Sequence, residues 1–381
     1  MIKKGNKNYS SLLSAISMLA CVFFLPPISN ANDEISYIVP TYIRTITNPY
    51  EQYNDVNPDW SGDGKYVSFE RYDMKTHNII LSDVNGKKIK TIVVETATDN
   101  EMDFLFSAEA QPSSFNTGIS WSPETKDFVF ISSGKTNNFD LFIGKTESNK
   151  TRRLTFHPLK DNQAMWSPIN NKILFVSSRD GNAGVYIIDA TTSKLVRLLE
   201  TTFNALHPVW SPDGNKVALM LGKNSLYSIY VVHDLSKPSE SLQKISGKSQ
   251  HNIRPSWSAD GKKLAYFSYS EQGSWDISVA DITQRNLTEK TVATNVVQNT
   301  NQGPAWLPDN KNIAYIKNDP NAYNPIFIVD IEKSTHGLFL TKTKMNMDLA
   351  VSSNGVLAFQ SQERQWSRVF IAGIPGFRSG I

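Results

Sequence analysis

The stretch His207-Pro208-Val209-Trp210-Ser211-Pro212-Asp213-Gly214-Asn215-Lys216-Val217-Ala218-Leu219-Met220 decides the fold. Pro212 presets φ for the first corner of a type I turn, and Asp213 is favoured in such a turn. Gly214 takes the left-handed position from which two strands can pair again. A β-rich run, Lys216–Leu221, follows at once. Trp210 therefore ends one strand and Val217 begins the next. A side chain as large as Trp at a strand end suits the space between two stacked sheets.

Working outward, the same signature returns along the chain. It reads Trp60-Ser61-Gly62-Asp63-Gly64, Trp121-Ser122-Pro123-Glu124-Thr125 and Trp166-Ser167-Pro168-Ile169-Asn170. It returns as Trp257-Ser258-Ala259-Asp260-Gly261 and Trp306-Leu307-Pro308-Asp309-Asn310, and in worn form as Val351-Ser352-Ser353-Asn354-Gly355. The gaps between anchors are 61, 45, 44, 47, 49 and 45 residues. A period in the mid-forties with several short strands per unit marks a β-propeller. After each turn comes an apolar strand, then a polar loop, then a third strand ending near Asp, such as Val185–Asp189 or Pro325–Asp330. A weaker fourth strand follows, and no 3.6-residue pattern stands outside the N-terminus. The spacing predicts an all-β chain of seven four-stranded blades, with six and one degenerate copy as the alternative. The seventh unit runs out of chain after its third strand. The run Tyr37–Ile46 is expected to supply the missing outer strand and leave no open edge.

Trp-Ser-Pro-Asp-Gly before an apolar strand, with a later apolar strand ending in Asp, resembles the TolB-type WD-like propeller repeat. The resemblance covers about residues 55–372. It implies a propeller and leaves function open. Such propellers occur in the Tol-Pal envelope system, in oligogalacturonate lyases and in the gating domains of prolyl-oligopeptidase-like enzymes. TolB carries an α/β domain before its propeller, for which this sequence leaves no room, so a stand-alone relative is expected.

Residues 1–31 read as a secretory signal peptide. Lys3, Lys4 and Lys7 form its basic head, Leu12–Leu25 its apolar run, and Ser29-Asn30-Ala31 its cleavage site. The apolar run is too short for a confident membrane span. Cys21 could mark a lipid anchor, but Met18 suits that motif poorly and apolar residues continue past the Cys. Cleavage after Ala31 predicts a periplasmic or secreted protein. Residues 32–54 form the lead-in and ring-closing strand, 55–374 the propeller with an insertion at 95–117, and 375–381 a tail. The chain holds 39 basic and 36 acidic residues, and the leader holds three of the Lys and no acid. The mature charge is therefore balanced, which gives no broad electrostatic reason to bind nucleic acid. Cys21, the sole Cys, leaves with the leader, so no disulfide is expected.

The candidate site comes from aligning the units. Three residues before each anchor stand Asn57, Gly118, Gln163, His207, Arg254, Gly303 and Asp348. These positions begin the innermost strands and should ring one mouth of the central channel. Asn162, His251 and Gln302 stand nearby in sequence. Convergent polar groups at a pore mouth are a default binding site. Three His from successive blades, His157, His207 and His251, could in principle converge on a metal. None shows a metal-ligand spacing, so no cofactor is assigned. Trp60, Trp121, Trp166, Trp210, Trp257 and Trp306 read as structural anchors. The expected function is an exported, monomeric, non-catalytic scaffold for an envelope or secreted protein. The alternatives are a metal-assisted polysaccharide lyase or hydrolase, and a glycan or small-ligand sensor.

Overall fold

The computed structural model describes residues 36–72, 76–96, 119–132, 138–247, 249–284, 287–321, 323–363 and 365–377. The expected signal peptide, Gly118 and most of the 95–117 insertion lie outside them. Among the described residues there is no helix, and the strands form seven sheets. Consecutive sheets contact one another, and the last touches the first through its inner strand, closing a seven-bladed ring. Blade 3 shows the plan: Asp161–Trp166 innermost, then Lys172–Ser177, Gly184–Asp189 and Leu195–Arg197 outermost.

The repeat motif is a hydrogen-bonded device. In blade 4 the Ser211 hydroxyl accepts the Lys216 N–H at 2.9 Å and donates to Asp213. The Asp213 carboxylate takes the Asn215 N–H at 3.2 Å, and the Gly214 N–H closes the turn on Ser211 O at 2.8 Å. The Ser211 hydroxyl holds the Asp213 carboxyl below its ordinary range. Gly64, Gly214, Gly261 and Gly355 are left-handed, and Thr125 and Asn310 take the same conformation where Gly is missing. The Asp residues that end third strands cap turns: Asp189 accepts the N–H groups of Thr191 and Thr192 at 2.9 and 2.7 Å.

Each anchor packs against the blade before it. Trp210 joins Leu174 and Val176 of blade 3, Trp166 joins Val129 and Leu141 of blade 2, and Trp60 joins Ala350 and Val356 of blade 7. Three indoles also bond to the preceding blade. Trp210 Nε1 donates to Met165 O at 3.2 Å, Trp257 Nε1 to Val209 O at 3.3 Å, and Trp306 Nε1 to Ser256 O at 3.2 Å. The anchors therefore join blades by area, and these three also by a directed bond.

Ring closure departs from the single expected strand. The run from Tyr37 to Ile46 splits in two. Ser36–Ile38 pairs in parallel with Thr335–Phe339 on the outside of blade 6, and Ile43–Thr45 pairs antiparallel with Trp366–Gly373 as the outer strand of blade 7. Pro40, between them, cannot donate to a ladder and interrupts the strand. Gly337 admits the first latch, since a Cβ there would stand 2.5 Å from Ile38 Cδ1. Arg368, 1% exposed, secures the lead-in by donating to the carbonyls of Tyr53, Pro49 and Glu51. In the tail, Phe377 packs on the core between blades 6 and 7.

Candidate functional site

The innermost strands share an irregularity that carries the site. In five blades the pairing to the second strand slips by a β-bulge, for example between Leu206 and Val209 and between Ile253 and Ser256. At each bulge one residue is left-handed: Asn57 (φ 51°), Gln163 (50°), His207 (47°), Arg254 (52°) and Asp348 (46°). These are the five polar residues of the aligned ring. Non-glycine residues in this region cost about 1 kcal/mol each, and a bulge re-aims the side chain it carries. Pro58, Pro208 and Pro255 follow three of them and cannot donate to the ladder in any case.

Four of the five are buried, with exposures of 4% for Gln163, 8% for His207, 6% for Arg254 and 6% for Asp348. These four side chains are therefore shielded from bulk solvent. Gln163 Oε1 accepts the His207 N–H at 2.7 Å, which fixes the orientation of its amide. Gln163 Nε2 then points its hydrogens at His207 Nε2, 3.3 Å away. His207 Nε2 is thus an acceptor, and the neutral ring carries its proton on Nδ1. Burial, aided by the neighbouring Arg254 charge, pushes the His207 pKa down to about 3. Burial also brings Arg254 down to about 10, against the pull of Asp348.

Blade 6 supplies the unexpected part. Its inner strand is broken into Val296–Val297 and Ala305–Trp306, and the residues between them turn into the channel. Gln298 Oε1 accepts from Arg254 Nη1 of blade 5. Thr300 donates its N–H and, at 3.1 Å, its hydroxyl to Asp348 of blade 7. Asn301 Nδ2 reaches past blade 7 to Glu70 of blade 1 at 3.3 Å, and the Gln302 side chain lies close enough to Asp59 of blade 1 to favour its charged form. Glu70, 1% exposed, also receives Asn57 Nδ2 at 3.1 Å and the Tyr72 hydroxyl at 2.6 Å, and it pairs with His77 Nε2 at 2.9 Å. Burial raises the Asp348 carboxyl, opposed by the Thr300 bonds, and lifts Asp59 to about 6, opposed by the Trp60 N–H.

Beside the ring lies a cavity of about 500 Å³ to which all seven blades contribute. Its lining runs from the ring along the inner strands to the anchors Trp166, Trp210, Trp257 and Trp306 and to Pro168 and Pro212 of the turns. Asn57, Gln163, His207, Arg254, Asp348 and Gln302 line it, as expected of a channel ring. Asn162 and His251 do not. Asn162 precedes the bulge, on the far side of the ring, and its Oδ1 is buried without a partner. His251 packs between Tyr227 and Trp275 and accepts the Tyr227 N–H. His157 stays in its loop, where Nδ1 accepts the Leu159 N–H at 3.2 Å. Among the described residues no three His, Cys, Asp or Glu form a group that could hold a metal, so the structure does not bring the three His together. Asp59, Glu70, Gln298 and Thr300 were missed by the ring alignment. The 49-residue gap before Trp306 and the polar run Gln298-Asn299-Thr300-Asn301-Gln302 were the signals for them.

Seven four-stranded repeats, six of them pinned to the neighbouring blade by a Trp at the end of the inner strand and the seventh carrying Val351 there, define a WD-like β-propeller with a polar ring in its channel. Residues 45–205 and 198–374 match the TolB beta propeller domain family, and the chain belongs to that family. No curated protein matches the sequence. Among solved structures it is similar to TolB from Acinetobacter baumannii, with 16% identity and a TM-score of 0.51 over 72% of this chain. The match spans 63% of that TolB. It is similar to an oligogalacturonate lyase from Vibrio parahaemolyticus, with 14% identity and a TM-score of 0.64 over 91% of this chain and 99% of that one. A Mycobacterium tuberculosis puromycin-hydrolyzing peptidase aligns with a TM-score of 0.62 and 12% identity, over 89% of this chain and 54% of its own length. At these identities the likeness concerns the fold. Among the described residues no helix is long and apolar enough to cross a membrane.

Proposed function

We propose that the chain is an exported propeller of the cell envelope that binds another protein through its central cavity. Convergence is the observation that supports this most: all seven blades line one pre-formed cavity with apolar walls and a few placed polar groups. Its acids are already engaged, Asp348 by Thr300 and Glu70 by Asn57, Asn301 and Tyr72. Such an arrangement keeps its shape and presents fixed donors, which favours recognition over turnover. The basic head, apolar run and Ser29-Asn30-Ala31 support export, and membership of the TolB propeller family agrees with an envelope setting. Placing a photo-crosslinking residue at Ala164, on the cavity wall, tests the reading in cells. A specific protein adduct is expected there. Adducts only from outward positions such as Lys194 would refute it.

The enzyme reading draws support from one observation, that the chain is coextensive with the oligogalacturonate lyase. It would use His207 and Arg254 on a sugar or peptide with metal assistance. Metal analysis of the purified protein tests it: a stoichiometric transition metal lost in His207→Ala would favour the lyase over the scaffold.

A further inference from the structure

Two arginines are buried among the described residues, and they differ in how far their donors are satisfied. Arg368 gives both Nη groups to backbone carbonyls, and only its Nε meets no acceptor. Arg254 donates from Nη1 to the neutral amide of Gln298, and its Nε meets no acceptor. Other arginines near the channel have carboxylates: Arg71 grips Asp55 at 2.6 and 2.9 Å, and Arg179 grips Asp161 at 3.0 Å twice. Asp348 pulls on Arg254 without an ion-pair contact. A guanidinium taken from water with no anion in contact is strongly disfavoured, and Arg254 alone among these lines the cavity. The His207 Nδ1–H, on the adjacent blade, is a second donor without a protein acceptor among the described residues. These two donors have room for an anion with two oxygens in direct contact.

The rest of the ring narrows the ligand. Donors lie on blades 4 and 5, as His207 and Arg254, while acceptors lie on blades 7 and 1, as Asp348, Asp59 and Glu70. The ring is therefore polarised across the channel. Beyond it the walls are Trp210, Trp257, Met165, Val209 and prolines, which offer apolar faces and few donors. A sugar oligomer needs hydroxyl partners along its whole length. The C-terminal residue of a polypeptide needs an anion site, an acceptor for its N–H a few ångströms away, and an apolar wall for its side chain.

Resting on the cavity reading, we infer that the ring captures the C-terminal carboxylate of a polypeptide. Arg254 and His207 take its oxygens, Asp348 and Asp59 face its N–H, and the Trp-lined wall holds an apolar last side chain. Planar bidentate recognition of this kind is the task to which Arg is suited.

Four Trp residues line the cavity, so intrinsic fluorescence reports occupancy. The probes are a pool of acetylated tripeptides with free C-terminal carboxylates, the same pool amidated, and a galacturonate trimer. The acid pool should bind at least ten-fold more tightly than the amide pool. Arg254→Gln should remove that preference while Arg254→Lys retains part of it, with thermal melting as the check on folding. The acid-against-amide comparison in the unsubstituted protein stands even where a variant fails to fold. Equal binding of both pools would overturn the carboxylate assignment and leave the cavity reading in place. Tighter binding of the trimer would overturn it in favour of a glycan. No response to any probe would also overturn it, and crosslinking from Ala164 would then decide the cavity reading separately.

Discussion

Replacing Gly303 by Ala tests whether the blade 6 loop is clamped as described. Gly303 occupies the ring position of its blade, and an added Cβ would stand 2.4 Å from Arg254 O, 2.8 Å from Ser256 Cβ and 2.9 Å from Pro255 C. Ordinary contact begins near 3.4 Å, so the loop must move by roughly 1 Å, and the struck atoms are largely backbone that cannot rotate aside. Overpacking of this kind costs about 1–3 kcal/mol. The same displacement lengthens the 3.1 Å bond from Thr300 to Asp348 and the 3.3 Å bond from Asn301 to Glu70 past useful range. Bonds to charged groups contribute about 1.5–3 kcal/mol each, and water in the cavity replaces part of that. A total loss of about 2–5 kcal/mol follows, read as a lower midpoint in guanidinium unfolding with an unchanged slope. Gly62→Ala is the control, because nothing lies within 4 Å of its Cβ and its φ is not left-handed. A Gly303→Ala midpoint as close to the unsubstituted protein as that of Gly62→Ala would refute the clamp.

Trp306→Phe deletes the indole bond to Ser256 O, whereas Trp60 Nε1 is buried without an acceptor. Trp306→Phe should therefore cost about 1 kcal/mol more than Trp60→Phe in the same melts, and the reverse order would show that the inter-blade bonds are incidental. Asp59, with its pKa lifted to about 6, binds its proton more tightly folded than unfolded, so its contribution falls as pH rises from about 4 through 6. Asp59→Asn should flatten that decline, by about 3 kcal/mol at most, in stability measured against pH. His207 acts in the opposite direction: with a folded pKa of about 3 it costs stability as pH falls below 6.5, and His207→Gln should lessen acid lability. Arg368→Ala leaves the carbonyls of Tyr53 and Glu51 without their buried donor and should lower stability by more than about 3 kcal/mol. Limited proteolysis should then cut first within residues 49–53.

The number of blades, the anchor positions and the ring positions were legible along the chain. Turn chemistry is local, and Ser211-Pro212-Asp213-Gly214 specifies its corner without help from elsewhere. Repetition makes the rest readable: seven weak copies at a steady period identify a propeller where one would not. The polar identity of Asn57, Gln163, His207, Arg254 and Asp348 was likewise visible by alignment. The burial of the last four and the left-handed backbone of all five were not, because a bulge is set by how two strands slip against each other. Only the closed ring brought Thr300 to Asp348, 48 residues away, and Asn301 to Glu70, 231 residues away. The same closure split the N-terminal run between two blades and left His251 outside the cavity. Local sequence sets which corners the chain turns, whereas the partners of a buried charge depend on which blades meet across the channel. The missing acceptor of Arg254 could therefore be read only from the assembled ring.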